Sequence, residues 1–239
     1  MRLLDYLSEE AKYFADVDNL INIIVPVIKG NSKLYNLPVI WRGWHAVGGS
    51  RLYYYAEISG SNDREFMRGM SIIQSELTIA KGFRDWVKDV VKGLEFTPIC
   101  CTYRHDQAGF FGRPCIVIPE SNFKVYQNPT VSDIATANPS RKFTGGIFVT
   151  TFNYDDSEVS KIVDGYKEDY ADRGNEILLK CDKYYLVNVS QLVFTLKNSK
   201  FNKIKDAGTI KTYQQVIDLI YNFRSYLNFL KKRKEKWQM

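Results

Sequence analysis

The sequence predicts an α+β protein, and three observations carry that expectation. Apolar residues recur at helical spacing at both ends, short β-rich runs fill the part after Gly93, and no Gly/Ser-rich linker, internal repeat or low-complexity tract divides the whole. One domain over 1–239 follows, with a helical cap at 1–36, a core at 37–197 and a basic C-terminal helix at 209–239. With 45% hydrophobic residues among 239, the chain can bury a full core.

In the first thirty residues, Leu4, Leu7, Ala11 and Phe14, then Leu20, Ile23, Ile24 and Val27, mark the apolar faces of two short helices. Residues 37–41 form a short apolar strand that ends at Arg42-Gly43, and 51–57 is a second strand or an extended loop. A 3.6-residue period through Ile73, Leu77, Ala80 and Val87 predicts a helix over 69–92, with Gly82 as its blemish. Strands are expected at 96–102 and 114–119, with one helical turn and a loop between them at 105–112. Strands at 123–126 and 147–152 follow, then a short helix near 157–163, strands at 176–180 and 183–189, and a further candidate strand at 191–197. Val216, Ile220, Phe223, Leu227 and Leu230 give a long helix over about 212–236 its packed face.

Composition removes several classes of function. No run approaches the ~18 to 20 apolar residues of a membrane span, and acids interrupt the N-terminus, so neither secretion nor membrane insertion is expected, and a cytoplasmic location is. Cys100, Cys101, Cys115 and Cys181 lack CxxC spacing; with only His45 and His105 beside them, no metal-ligand pattern emerges and reduced core thiols are expected. The net charge is +6, and residues 231–236 alone supply +4 of it. That end reads either as a solvated helix terminus, where cations suit the macrodipole, or as a contact for nucleic acid or another polyanion, with Tyr226 and Trp237 beside it.

The residues that could carry chemistry lie at strand ends. Glu176 stands at the mouth of an otherwise apolar strand, after a polar loop (164–175) that carries Tyr166 and Tyr170; taken alone it is a solvated residue at a loop-to-strand junction. Arg42-Gly43 closes an earlier strand and Cys100-Cys101-Thr102 another. If these ends meet, a guanidinium, a hydroxyl and a carboxylate converge, a set that suits a substrate with both phosphate and ribose. Arginine offers a planar fork to phosphate oxygens, glycine lets the backbone approach, and a carboxylate can hold a ribose hydroxyl or stabilise a cationic sugar centre. Cys101 and His105 lie four residues apart, but neither an orienting acid nor an oxyanion signature accompanies them, so a cysteine nucleophile is set aside.

In this order and context, the motifs resemble the ADP-ribosyltransferase family of the R-S-E type. Trp41-Arg42-Gly43 is similar to its aromatic-Arg-Gly strand end, Cys100-Cys101-Thr102 occupies its Ser-Thr-Ser position, and Glu176-Ile177-Leu178-Leu179 looks like its catalytic Glu before a Val/Ile-Leu-Leu strand. Ala108-Gly109-Phe110-Phe111-Gly112 and Cys115-Ile116-Val117-Ile118-Pro119 resemble the turn and strand that follow. The likeness spans Trp41 to Val189, and small phage-encoded proteins of this type share the G-N-E-I segment followed by C-x-x-Y-Y-L-V. The resemblance implies split mixed or antiparallel β-sheets around an NAD cleft, with helices at both ends. It also implies cleavage of the nicotinamide-ribose bond of NAD, with ADP-ribose passed to an acceptor or to water.

On that reading Arg42 and Gly43 bind NAD, Glu176 is catalytic, Thr102 orients Glu176, and Cys101 and Thr102 border the cofactor. Phe110 or Phe111 packs on the nicotinamide, and the loop with Tyr166 and Tyr170 faces the acceptor, a host protein or nucleic acid. The chain departs from the pattern at two points. Cys100 or Cys101, depending on register, replaces the first serine, and Gly174 stands where arginine-modifying members carry a second Glu. Arginine is therefore disfavoured as acceptor, and a relative that kept the fold without activity, as a phage structural or nucleic-acid-binding protein, is the alternative.

Overall fold

The computed structural model describes residues 14–44, 52–57, 99–109, 112–120, 122–127, 163–165, 176–181 and 183–237. Residues 14–19 (α1) are helical and run through a π-helical turn, Leu20–Ile24, into α2 (Val25–Gly30), with α3 (Ser32–Tyr35) following. The Val25 N–H reaches back five residues to the Leu20 carbonyl. The next residue is Pro26, which has no N–H to give and whose ring would press on a carbonyl four residues back; the widened turn relieves that conflict. The extra residue also rotates the buried face. Val17, Leu20, Ile24, Val25 and Ile28 are buried, whereas Ile23, expected on the apolar face, is 37% exposed.

The strands are β1 (Ile40–Trp44), β2 (Tyr53–Glu57), β3 (Ile99–Cys101), β4 (Arg113–Pro119), β5 (Lys124–Gln127), β6 (Val163–Asp164), β7 (Ile177–Lys180) and β8 (Lys183–Val187). Between β3 and β4 lies the short helix α4 (His105–Gly109), and α5 (Val189–Leu196), a 3₁₀ turn (Ala207–Thr209) and α6 (Tyr213–Trp237) close the chain. They build two four-stranded sheets, β1-β4-β8-β2 and β3-β7-β5-β6, in which every pairing is antiparallel. The fold is α+β, with antiparallel sheets and helices at both ends. In the centre of the first sheet, Cys115–Pro119 and Tyr184–Val187 are buried without alternation, because helices cover the sheet; α2 and α5 both pack on β4. No helix among the described residues is long and apolar enough to cross a membrane.

Several expected elements move. The strand expected at 37–41 begins at Ile40, and Pro38 makes only an isolated bridge to Thr212. Of the stretch 51–57, Tyr53–Glu57 is strand β2 and Arg51 lies outside the described residues. The candidate strand at 191–197 is instead helix α5: the Asn188 side chain accepts the Gln191 N–H at 3.2 Å, and Val189, Leu192, Val193 and Leu196 turn inward at helical spacing. Val163, expected at the end of a helix, is in strand β6. The rest of that helix, the helix at 69–92, the strand at 147–152 and the apolar positions before Phe14 lie outside the described residues.

Helix α6 begins with a reciprocal cap. Gln215 N–H donates to Thr212 Oγ1 at 3.3 Å, and Thr212 N–H donates to Gln215 Oε1 at 3.1 Å. Just inside, the buried Tyr213 hydroxyl donates to the Val117 carbonyl at 2.8 Å and accepts the Ile40 N–H at 3.3 Å, tying the entry of β1 to β4. Tyr213→Phe strands both backbone groups away from water and is expected to cost about 2 kcal/mol. The midpoint of urea denaturation reads this directly; an unchanged midpoint would mean that the hydroxyl contributes nothing to the joint.

Candidate active site

A hydrogen-bonded residue pair joins the two sheets, and the candidate site is built around it. Trp41 N–H donates to the Thr102 carbonyl at 2.7 Å, and Thr102 N–H donates to the Trp41 carbonyl at 2.9 Å, so edge strand β1 meets the end of edge strand β3. Strand β3 in turn pairs with β7, Cys101 lying opposite Ile177. One residue further along each strand come Thr102 and Glu176. The three strand ends singled out from sequence therefore meet at one place.

Alternation along β1 sends Trp41 and Arg42 to opposite faces. Trp41 packs edge-on against the His105 ring, with centroids 4.8 Å apart. Arg42 is only 2% exposed, and its guanidinium lies 5.9 Å from the centre of the Tyr184 ring. Gly43 continues β1 opposite Pro114.

Cys101 feels both charges of the site. Burial pushes its thiol up to about 12, the Arg42 guanidinium pulls it down, and the Glu176 carboxylate adds to the rise. Arg42 and Glu176 are thus both within electrostatic reach of one buried sulfur. The thiol stays protonated at neutral pH, and burial also holds His105 below the usual imidazole range, against the opposite pull of Asp206 and Asp106. With His105 packed on Trp41, this neutral pair has no character of a thiolate nucleophile.

Thr102 does not act as the sequence suggests. Its hydroxyl, 5% exposed as a residue, gives its single proton to Gln107 Oε1 at 3.0 Å and accepts the Arg104 N–H at 3.1 Å. The hydroxyl therefore braces the turn into α4 and does not orient Glu176. Gln107 is the residue that sequence reading missed. The signal for half of this arrangement was present, because a Thr accepting from the N–H two residues on is a common way to open a turn.

Glu176 itself is half-buried and immediately precedes β7. The backbone of Cys100 pairs with Leu178. Phe110, Phe111, Tyr166 and Tyr170 lie outside the described residues. The loop bearing the two tyrosines departs after Gly165, which ends β6 at φ +88°, a conformation costly for other residues.

The buried thiols give the site a measurable pH signature. Cys115, opposite Arg42, is also pushed up to about 12 by burial. Between about pH 9 and 12 the folded state keeps protons that the unfolded chain releases, so stability is full below pH 9 and falls as pH rises through that window, by up to about 1.4 kcal/mol per pH unit for each thiol. Burial pushes the Tyr213 phenol upward too, in the same sense. Thermal melts from pH 8 to 11 are expected to show a steadily falling Tm; a flat profile would show these groups to be open to solvent.

A guanidinium and a carboxylate within electrostatic reach of one buried, protonated thiol at a sheet junction make a set of groups suited to a phosphorylated ribose: a donor for the anion, and an acceptor for hydroxyls or a counter-charge for a developing cation. Comparison of the sequence with protein-family models and curated proteins, and of the fold with solved structures, finds no match.

Proposed function

We propose that this chain is an NAD-dependent ADP-ribosyltransferase with the split-sheet fold of that family. It breaks the nicotinamide-ribose bond and passes ADP-ribose to an acceptor, or to water when no acceptor is present. The observation that carries the reading is the convergence of Arg42, Cys101 and Glu176 at the Trp41–Thr102 junction. The motifs named in sequence order thereby share one location, which chance matches would not require. NAD, consumed as a substrate, supplies the C–N bond that breaks, and its nicotinamide leaves with the bonding electrons.

Arg42 engages the phosphates or the adjoining ribose, with the Gly43 backbone close by. Glu176 holds a hydroxyl of the nicotinamide ribose and stabilises the positive charge that grows on the sugar as the bond lengthens. Thr102 and Gln107 fix the turn beside them. The reaction belongs in the cytoplasm, that of a host if the chain is phage-encoded as its resemblance implies.

A second reading has its own observation. With the Thr102 proton committed to Gln107 and a neutral thiol at the centre, the site resembles one that has kept the fold and lost turnover. Nicotinamide release from NAD by the purified chain, with and without a cell lysate as a source of acceptor, separates the two. Release supports the enzyme, and greater release with lysate reports an acceptor. NAD binding without release supports the inactive relative, and neither binding nor release rejects both.

A further inference from the structure

Two segments hold the positive charge of this chain, and the fold lays them on one surface. Lys197, Lys200, Lys203 and Lys205 lie in the loop after α5; the end of α6 carries Lys231, Lys232, Arg233, Lys234 and Lys236 against Glu235. Each segment contributes +4 where the whole chain is +6, so everything outside them is net negative. The joint is aromatic. Phe201 of the loop packs against Tyr226 and Phe229 of the helix, with ring centroids 6.2 and 5.8 Å away.

Lys200 Nζ lies 5.0 Å from the Phe229 centroid and the Arg233 guanidinium lies 5.7 Å from the same point. A loop cation and a helix cation thus share one ring, within about one Debye length of each other, roughly 10 Å at 0.1 M salt. Lys197, Lys203, Lys205, Lys231 and Lys232 around them are all exposed. Beside this field stands Phe194, in the last turn of α5 and three residues before Lys197, with 71% of its surface exposed.

We infer that this surface binds single-stranded nucleic acid, the cations following the phosphates and Phe194 offering a stacking face to a base. Phe194 takes the part that the sequence suggested for Tyr226, whose ring is committed to Phe201. A membrane surface is a poorer fit. Phe201 and Phe229 are packed together beneath cations, which leaves Phe194 as the outward large apolar group of the patch among the described side chains and not the continuous apolar face that interfacial insertion uses. The inference is independent of the chemistry proposed for Glu176.

The test is fluorescence anisotropy of a labelled 20-nucleotide oligothymidylate, beside a duplex of equal length, from 50 to 200 mM salt. Neutralising about five phosphates gives a log-log slope near −3.5 for a single strand, on the order of 100-fold loss of affinity over that range. Converting the four loop lysines to Gln, or Lys231, Lys232 and Arg233 to Gln, is expected to weaken binding at least ~10-fold each and to flatten the slope. Phe194→Ala is expected to weaken it by about 10-fold with the slope unchanged. Circular dichroism of each variant separates loss of binding from loss of fold. The inference is overturned by a salt-independent signal, by loop variants that bind like wild type, by equal or tighter binding of the duplex, or by tighter binding of phosphatidylserine vesicles or polyglutamate than of the oligonucleotide.

Discussion

Replacing Glu176 by Gln is expected to slow nicotinamide release from NAD by about 1,000-fold, on the order of 4 kcal/mol of transition-state stabilisation. The substitution keeps shape and removes charge. Because β7 pairing begins at Ile177 and Glu176 is half-buried ahead of it, the variant should fold and melt like wild type. The loss should fall on kcat and leave KM almost unmoved, since a carboxylate attracts the sugar strongly only once positive charge has formed there. A Gln variant that turns over within a few-fold of wild type would remove Glu176 from the chemistry, whatever its position.

Most of the elements behind that position were legible, and the failures have physical causes. The unbroken apolar runs at 115–119 and 184–187 read as strands because both faces are covered, and they are strands. Helix α6 was legible from its packed face of Val216, Ile220, Phe223 and Leu227, and the Thr212–Gln215 cap that fixes its start was found in the structure. Helix α5 was misread because Val193 and Thr195 raise the β-propensity of a seven-residue run, while the decisive residue, Asn188, looked like the end of the preceding strand. Ile23 was placed on the wrong face because a π turn shifts the helical phase by one residue, and no periodicity template contains that step.

The site divides in the same way. The order Arg42, Cys101, Glu176 was visible as motifs, whereas the antiparallel pairing of β3 with β7 emerged only in the structure. The Trp41–Thr102 bridge was not visible, because it joins two sheet edges sixty-one residues apart in the chain and depends on the register of both sheets. Nor could the sequence say which neighbour takes the Thr102 proton. That choice belongs to the turn at Arg104, which brings Gln107 within 3.0 Å. A hydroxyl read as an arm of the catalytic group is instead a brace for α4, and any positional control of Glu176 must come from other groups.

Arg42 offers the sharper test of recognition, since charge and shape can be separated there. Arg42→Met keeps an unbranched, apolar chain beside the Tyr184 ring in place of a guanidinium that is 2% exposed, and a urea melt of the variant reads the fold's own dependence on that charge separately from recognition. Affinity for NAD is expected to fall by about 100-fold, roughly 2.7 kcal/mol, the scale of one or two charge-assisted hydrogen bonds. Arg42→Lys retains the charge and loses the fork. If phosphate or ribose oxygens are gripped by two parallel N–H groups, the Lys variant should recover less than a tenth of the lost affinity. If the guanidinium serves as a point charge balancing Glu176 across Cys101, the Lys variant should bind NAD almost as wild type does. Titration calorimetry with NAD on the three proteins distinguishes these cases, and Met binding equal to wild type would take Arg42 out of the site. The Cys101 thiol supplies an internal control: Arg42 holds it down, so its loss in the Met variant should push the thiol higher still and extend the alkaline fall in stability. That shift is expected whether or not NAD is the ligand, so a change in NAD affinity without it would place Arg42 elsewhere than beside the sulfur.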